Sequence, residues 1–255
     1  MTTKTIARNH SPASRILALA AVAGLTACGG SGGTDGMFQT GQIVGGGTKQ
    51  IAGVQPVGGF LPNPSLLTPG GTGRADLVYR NPTANFGPYN KIILEPVAIW
   101  APADSQLNSV PLDQRQAAAN TFYSDLYKAL SRRCQMVNSP SPGTMHMRFA
   151  LVDAKIPNST VNTVATYTPY VGTGYSLASL AFNNGVGYFA GTATAEGYAT
   201  DATNGSLLWE AVDKRGGTTA VVENTLNNWN DIDHAFQAWS QQLASRMQEL
   251  GACRG

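Results

Sequence analysis

Two stretches of this chain carry apolar residues at helical spacing, and they predict two long helices. The first stretch covers residues 113–133, where Phe122, Leu126 and Leu130 lie on one face. The second covers residues 230–250 and has a longer apolar stripe. Its members are Ile232, Phe236, Trp239, Leu243, Met247 and Leu250. Because each stripe occupies one side of its helix, we expect both helices to pack on a common core.

Four other stretches have the β-branched or alternating apolar pattern of strands. They cover residues 89–100, 144–153, 188–201 and 206–214, and the last two are expected to form a hairpin. Residues 154–187 contain prolines and glycines and predict a long loop with one short helix. The order of elements is typical of a single α+β domain. In such a domain, two main helices pack on one face of a mostly antiparallel sheet.

The turn of the predicted hairpin contains Asn204 and Gly205 and allows two registers that differ by two residues. Since strand side chains alternate with a period of two, both registers predict the same faces. One face carries small residues, which are Ala193, Ala195, Gly197 and Ala199. The other face carries a candidate surface site, which consists of Glu196, Tyr198, Trp209 and Asp213.

Residues 1–27 have the pattern of a secretory signal. Three basic residues precede the ten apolar residues 16–25, a run too short for a bilayer span of about twenty. Leu25-Thr26-Ala27-Cys28 follows and resembles a bacterial lipobox. That resemblance implies acylation of Cys28, including palmitate, because two or more acyl chains anchor a protein stably. A plain signal peptide followed by a chance cysteine is the alternative.

Gly29 follows the cysteine, at the position where an aspartate tends to retain Gram-negative lipoproteins at the inner membrane. By that sorting rule we expect the outer membrane, with the domain facing the periplasm and the cell surface as the alternative. Residues 28–73 are rich in glycine and predict a flexible tether. Apolar residues such as Phe60 and Leu61 predict that the last part of the tether docks on the folded part, residues 74–255.

Export changes the meaning of the charge and of the cysteine count. The formal net charge of +2 falls to −1 when the three basic residues of the signal leave. Without a basic bias, nothing favours nucleic acid as a partner. Lipidation of one cysteine leaves Cys134 and Cys253, which are a candidate disulfide in an oxidising compartment. Two independent thiols are the alternative.

Several segments, taken in their order and spacing, resemble those of a known protein family. They include Gly59-Phe60-Leu61, Tyr89-Asn90-Lys91-Ile92-Ile93-Leu94-Glu95-Pro96-Val97, Arg148-Phe149-Ala150-Leu151-Val152-Asp153 and Trp229-Asn230-Asp231. Together they resemble a group of proteobacterial lipoproteins, domain-of-unknown-function family 3313, over about residues 59–250. Asn63-Pro64 departs from the family pattern, where we expect something like Asp-Tyr. The resemblance implies a lipoprotein, and it implies no established activity, substrate or catalytic residue.

The sequence contains no local signature of an enzyme. It has no G-x-S-x-G, no P-loop, no H-E-x-x-H and no G-x-G-x-x-G between a strand and a helix. We therefore expect no catalytic residue, no cofactor and no metal. Glu196 and Asp213, on one predicted face, leave general acid–base chemistry or a cation site open. A solvated face, or pairing with basic neighbours, is the alternative. Tyr198 and Trp209 suit either a binding hot spot or packing under the long loop.

These observations favour a non-enzymatic binding or assembly module of the cell envelope, whose partner is an envelope protein or a glycan. An envelope hydrolase that uses Glu196 and Asp213 is one alternative. A purely structural lipoprotein is the other.

Overall fold

The computed structural model describes residues 47–156, 191–217 and 229–254. The predicted signal, Cys28, the tether as far as residue 46 and the predicted loop from 157 to 187 lie outside the described residues. Within the described part of the chain, no helix has the length and apolar character needed to cross a membrane.

One mixed sheet organises the described part of the chain. Its strands are β1 (Thr48–Gln50), β2 (Thr68–Pro69), β3 (Leu77–Arg80), β4 (Lys91–Leu94), β5 (Ala98–Ile99), β6 (Gln135–Met136), β7 (Thr144–Lys155), β8 (Thr192–Asp201) and β9 (Leu207–Gly217). The order across the sheet is β2-β3-β9-β8-β7-β4-β6, while β1 pairs with β9 and β5 pairs with β7. Strands β3, β9, β8 and β7 are antiparallel, whereas β4, β5 and β6 are joined to the sheet by parallel pairs.

Two long helices accompany the sheet, α1 (Leu112–Leu130) and α2 (Asn230–Glu249), together with short 3₁₀ helices at Pro64–Leu66 and Gln106–Ser109. The predicted α+β class, with two main helices and one sheet in a single domain, is therefore confirmed. The expected strand over 89–100 is divided into β4 and β5. Pro96 lies in the interruption, where its missing N–H removes one ladder bond.

The helices cover one face of the sheet, which we call the helix face. Phe122 of α1 and Phe236 of α2 stack with ring centroids 4.8 Å apart, and Trp239 packs on Phe122. A disulfide joins Cys134, just past the end of α1, to Cys253, just past the end of α2, with Cα atoms 4.8 Å apart. It links residues separated by 119 positions, which corresponds to about 4–5 kcal/mol of stabilisation in the chain-entropy model.

The opposite face is covered by an irregular segment, residues 52–67, which we call the strap. After β1 pairs with the end of β9, the strap crosses the sheet. Phe60 and Leu61 are buried there in a second apolar cluster, whose sheet members are Ala150, Val152, Tyr198 and Val212. The composition predicts residues 47–73 as the end of the tether; in the structure they contribute β1, the cover of one sheet face and β2.

The β8–β9 hairpin contains a bulge that corrects the predicted register. Thr200 pairs with Leu207, but Ala199 pairs with Trp209, so Leu208 is an extra residue on β9. One extra residue exchanges the two faces of a strand relative to its partner. Glu196 consequently lies opposite Val212, and Asp213 lies opposite Ala195. The prediction that the four candidate site residues share one face is therefore wrong.

Candidate functional site

A cavity of about 490 Å³ lies between α2 and the helix face of the sheet. Its floor is one cross-strand row, in which Val78 pairs with Ala211, Ala211 with Gly197 and Gly197 with Phe149. Ala211 and Gly197 occupy the middle of this row. Because their side chains are minimal, they leave space where larger residues would fill the gap beneath a helix.

The roof of the cavity is the apolar stripe of α2. Trp239, Leu243 and Met247 follow one another at intervals of four residues and all line the cavity. The sequence predicts this stripe as core. In the structure its members also face an open space, because the sheet offers them a depression instead of matching side chains.

Aromatic rings form one wall of the cavity. Phe149, Trp209, Phe122 and Trp239 all line it, and the centroids of Phe149 and Trp209 are 5.9 Å apart. The ring of Phe149 lies over Gly197 so closely that a Cβ there would meet ring atoms at 2.5 Å. Glycine at this position therefore fixes where the aromatic wall stands.

Asp213 lies beside the cavity, and its carboxylate is saturated with donors. Oδ1 accepts from Gln50 Nε2 (2.5 Å) and from the backbone N–H of Asp76 (2.9 Å). Oδ2 accepts from Arg215 Nε (3.1 Å) and Trp239 Nε1 (2.7 Å). With its lone pairs occupied, this carboxylate ties β1, β9, α2 and the residue before β3 together.

The indole N–H of Trp209 is in the opposite situation. Trp209 is 8% exposed and lines the cavity, yet its Nε1 has no acceptor among the described residues. Its cross-strand neighbour on the same face is Arg80, at the end of β3. A buried donor without an acceptor is costly, so this position favours a ligand that can accept a hydrogen bond.

The mouth of the cavity is basic. Arg74, Arg80 and Arg246 line it, and of these Arg246 is paired with Glu249. Arg74 and Arg80 are exposed and have no carboxylate partner in the described ranges. Two uncompensated positive charges therefore flank an apolar, aromatic interior.

Glu196 lies under the strap, with its carboxylate on the face opposite the cavity. Oε1 accepts the backbone N–H of Val57 at 2.6 Å, while Oε2 is buried without a partner among the described residues. Burial raises the pKa of this carboxyl from 4.5 to about 7; the N–H of Val57 opposes the rise and the nearby Glu210 adds to it.

Glu210 is a second buried carboxylate that holds the strap. It lies on β9, two residues before Val212, the cross-strand neighbour of Glu196. Its Oε2 accepts the backbone N–H of Asn63 at 3.1 Å, its side chain is fully buried, and burial raises the pKa of its carboxyl. The sequence pattern does not identify Glu210 as a candidate site residue. With the predicted register, Glu210 falls on the helix face, so only knowledge of the bulge at Leu208 reveals it.

Tyr198 shares the strap face with Glu196. Its ring meets Phe60 edge-on with centroids 5.6 Å apart, and its hydroxyl accepts from Arg148 Nη1 at 3.0 Å. The structure thus divides the four candidate residues into two pairs. Glu196 and Tyr198 hold the strap, whereas Trp209 and Asp213 lie at the cavity, and all four are buried.

Comparisons with solved structures give weak likenesses of the fold. The chain is similar to the PelC dodecamer from Paraburkholderia phytofirmans, at 9% identity and a TM-score of 0.34, over 69% of this chain and 98% of that one. It is similar to a DUF4136 family protein from Bacteroides thetaiotaomicron (12%, TM-score 0.33, 69% and 96%). A third likeness is to a Caulobacter crescentus protein provisionally described as a lipoprotein (9%, TM-score 0.29, 66% and 90%). At these scores, none carries an argument about function.

A comparison with curated proteins finds no match. A family model, in contrast, matches residues 58–243, which include the second half of the strap, strands β2 to β9 and most of α2. This match confirms the resemblance to domain-of-unknown-function family 3313. The chain belongs to the family described as protein of unknown function (DUF3313).

Proposed function

We propose that this protein is a lipid-anchored, non-enzymatic binding module of the bacterial envelope, and that the cavity beneath α2 is its binding site. The observation that carries the proposal is the cavity itself. Its volume of about 490 Å³ falls in the range of about 300–1,000 Å³ that is typical of small-molecule sites. Its aromatic wall and basic mouth supply the apolar area and the few polar groups that such sites combine.

The proposed location rests on the sequence around the lipobox. Small residues precede Cys28, and Gly29 follows it, which favours the outer membrane and a domain that faces the periplasm. The Cys134–Cys253 disulfide supports an exported protein, since such bonds persist in oxidising compartments.

The acidic residues near the cavity support binding over hydrolysis. Asp213 is already engaged by four donors, and the carboxylate of Glu196 bonds to the strap on the other side of the sheet. A pair of carboxylates for acid–base work requires both groups to reach one substrate. The separation of Glu196 and Asp213 on opposite faces of the sheet therefore argues against the hydrolase alternative.

A photo-crosslinking amino acid introduced at Leu243 tests the proposal in intact cells. Leu243 lines the cavity, whereas Gln241, two residues earlier on α2, is exposed and lies outside it. We expect irradiation to yield an adduct of defined added mass from position 243 and none of that mass from position 241. Mass spectrometry measures both, and equal adducts from the two positions would contradict a binding site in the cavity.

A further inference from the structure

The chemistry of the cavity identifies one class of occupant. Resting on the proposed function, we propose that the cavity binds a single-chain amphiphile with an anionic head group, such as a fatty acid or an alkyl phosphate. The chain would lie between α2 and the row Val78, Ala211, Gly197 and Phe149, with the head group at Arg80 and the indole N–H of Trp209.

The interior suits an alkyl chain because it offers few hydrogen bonds. The uncharged polar side chains that line it are Thr68 and Gln242. Thr68 donates to the carbonyl of Val78 (3.2 Å), and the Oε1 of Gln242 accepts from Arg215 (3.2 Å). A glycan needs many polar partners in its site, and apart from the basic mouth and the indole N–H of Trp209 this lining offers few. An alkyl chain requires only the apolar surface.

The charge at the mouth selects the head group. Arg74 and Arg80 have no acid partner in the described part of the chain, while the acids nearby are occupied. Glu249 is paired with Arg246, and Asp213 has four donors. Guanidinium groups bind carboxylates and phosphates through paired hydrogen bonds, so the free positive charge favours an anion.

Trp209 supplies an independent indication of where that anion sits. Its buried Nε1 has no acceptor among the described residues, and Arg80 is its cross-strand neighbour on the same face. One anionic oxygen near these two side chains would satisfy the indole donor and pair with the guanidinium group. The apolar row begins at the neighbouring positions Val78 and Ala211, so head-group and chain contacts adjoin.

Isothermal titration calorimetry of the whole mature chain tests this assignment. The protein is exported behind a cleavable secretory signal with Cys28→Ser, so that it carries no acyl group. Three probes with the same dodecyl chain are titrated below their micelle concentrations. They are dodecyl phosphate, dodecyl maltoside and dodecyltrimethylammonium. We expect dodecyl phosphate to bind at least about tenfold more tightly than the neutral and cationic probes, which corresponds to one charged hydrogen bond.

Three variants and one control variant locate the site. Arg80→Gln should weaken dodecyl phosphate about tenfold, while Arg132→Gln, an exposed arginine outside the cavity, leaves its affinity unchanged. Trp209→Phe keeps one aromatic ring and removes the unpaired donor, so it should weaken the phosphate probe several-fold and leave the affinity for the maltoside probe nearly unchanged. Loss of packing alone would weaken both probes alike. Leu243→Trp, which fills the cavity, should abolish binding of all three probes.

Three results would overturn the inference. The first is equal affinity for the phosphate and maltoside probes, and the second is an Arg80→Gln variant that binds like the parent. The third is no binding of any probe to a protein that melts cooperatively. If the crosslinker at Leu243 still yields its specific adduct in that case, the ligand assignment falls and the proposed binding function stands. If position 243 yields no specific adduct either, both fall.

Discussion

The two faces of the central sheet are covered in different ways. On the helix face, α1 and α2 satisfy their own backbone groups, so they can cover the sheet with apolar side chains such as Phe122 and Phe236. The strap on the other face has no such internal ladder. Its N–H groups at Val57 and Asn63 are instead accepted by buried carboxylates of the sheet.

This difference shows what an irregular cover requires of the surface beneath it. Because the strap brings unpaired donors, the sheet must supply acceptors, and Glu196 and Glu210 lose solvation in doing so. The stability that the helix face provides should therefore depend on packing and cross-linking, whereas the stability that the strap face provides should depend on pH.

The largest expected effect concerns the link between the helix ends. Replacing Cys134 and Cys253 together by alanine should lower the free energy of unfolding by about 4–5 kcal/mol, because the unfolded chain regains the entropy of a long loop. Urea unfolding followed by circular dichroism measures the loss. Reduction of the parent protein serves as the control and should give the same loss. Unchanged stability after reduction would contradict this role.

Truncation of one aromatic ring on each face compares their packing directly. Phe236→Ala should cost about 3–5 kcal/mol, since the ring is fully buried between rigid helices. Phe60→Ala in the strap should cost less, about 2 kcal/mol, because an irregular segment can relax into the space. Urea unfolding of both variants measures the difference. Equal losses would show that the strap is packed as rigidly as the helices.

The pH dependence should come from the strap face. The pKa of Glu196 is raised from 4.5 to about 7 by folding, so the folded state binds more protons between these values and stability falls as the pH rises through them. Glu196→Gln keeps an acceptor for the Val57 N–H and removes the charge. It should stabilise the protein by about 3 kcal/mol at pH 8 and leave it nearly unchanged at pH 4.5.

Thermal unfolding from pH 4.5 to 8 measures this dependence. The exposed Glu249→Gln variant is the control, and above pH 5 its melting temperature should fall with rising pH as steeply as that of the parent protein. In Glu196→Gln the melting temperature should still fall with rising pH, but less steeply, because Glu210 remains buried. A Glu196→Gln variant with the full slope of the parent would contradict our account of the strap face.

The smallest expected effect compares one hydrogen bond on each face. Trp239→Phe removes the indole donor to Asp213, and Tyr198→Phe removes the hydroxyl that accepts from Arg148. We expect a loss of about 1–2 kcal/mol for the bond to the buried carboxylate and about 1 kcal/mol for the other. Chemical denaturation measures both. A larger loss in Tyr198→Phe would reverse the order that we assign to the two faces.

Much of the helix face is predictable from the sequence because its information is periodic. The stripe from Ile232 to Met247 identifies α2 and its buried side without reference to other elements. The hairpin is predictable for the same reason. Its two strands alternate, and a turn around Asn204 and Gly205 separates them.

The strap face is not predictable because its information is not local. Residues 47–67 have a tether-like composition, and their order depends on acceptors more than a hundred positions away in the sequence, at Glu196 and Glu210. The register also escapes prediction, since both faces of the hairpin are buried and alternation alone cannot identify the extra residue. The cavity depends on that register. Neither its floor nor the position of the two acids beneath the strap can therefore be predicted from the sequence.

The bulge at Leu208 gives β9 one residue more than its partner strand needs. Removing Leu208 alone would restore simple pairing, with Ala199 still opposite Trp209, so every later residue of β9 would keep its side. Removing a second residue before Glu210 would exchange the sides, because Ala199 would then lie opposite Glu210. Glu210 would face the aromatic wall, and Asp213 would leave its four donors. In the history of this family, loss of the single bulged residue is therefore expected to be tolerated, whereas loss of two residues from this part of the strand is not.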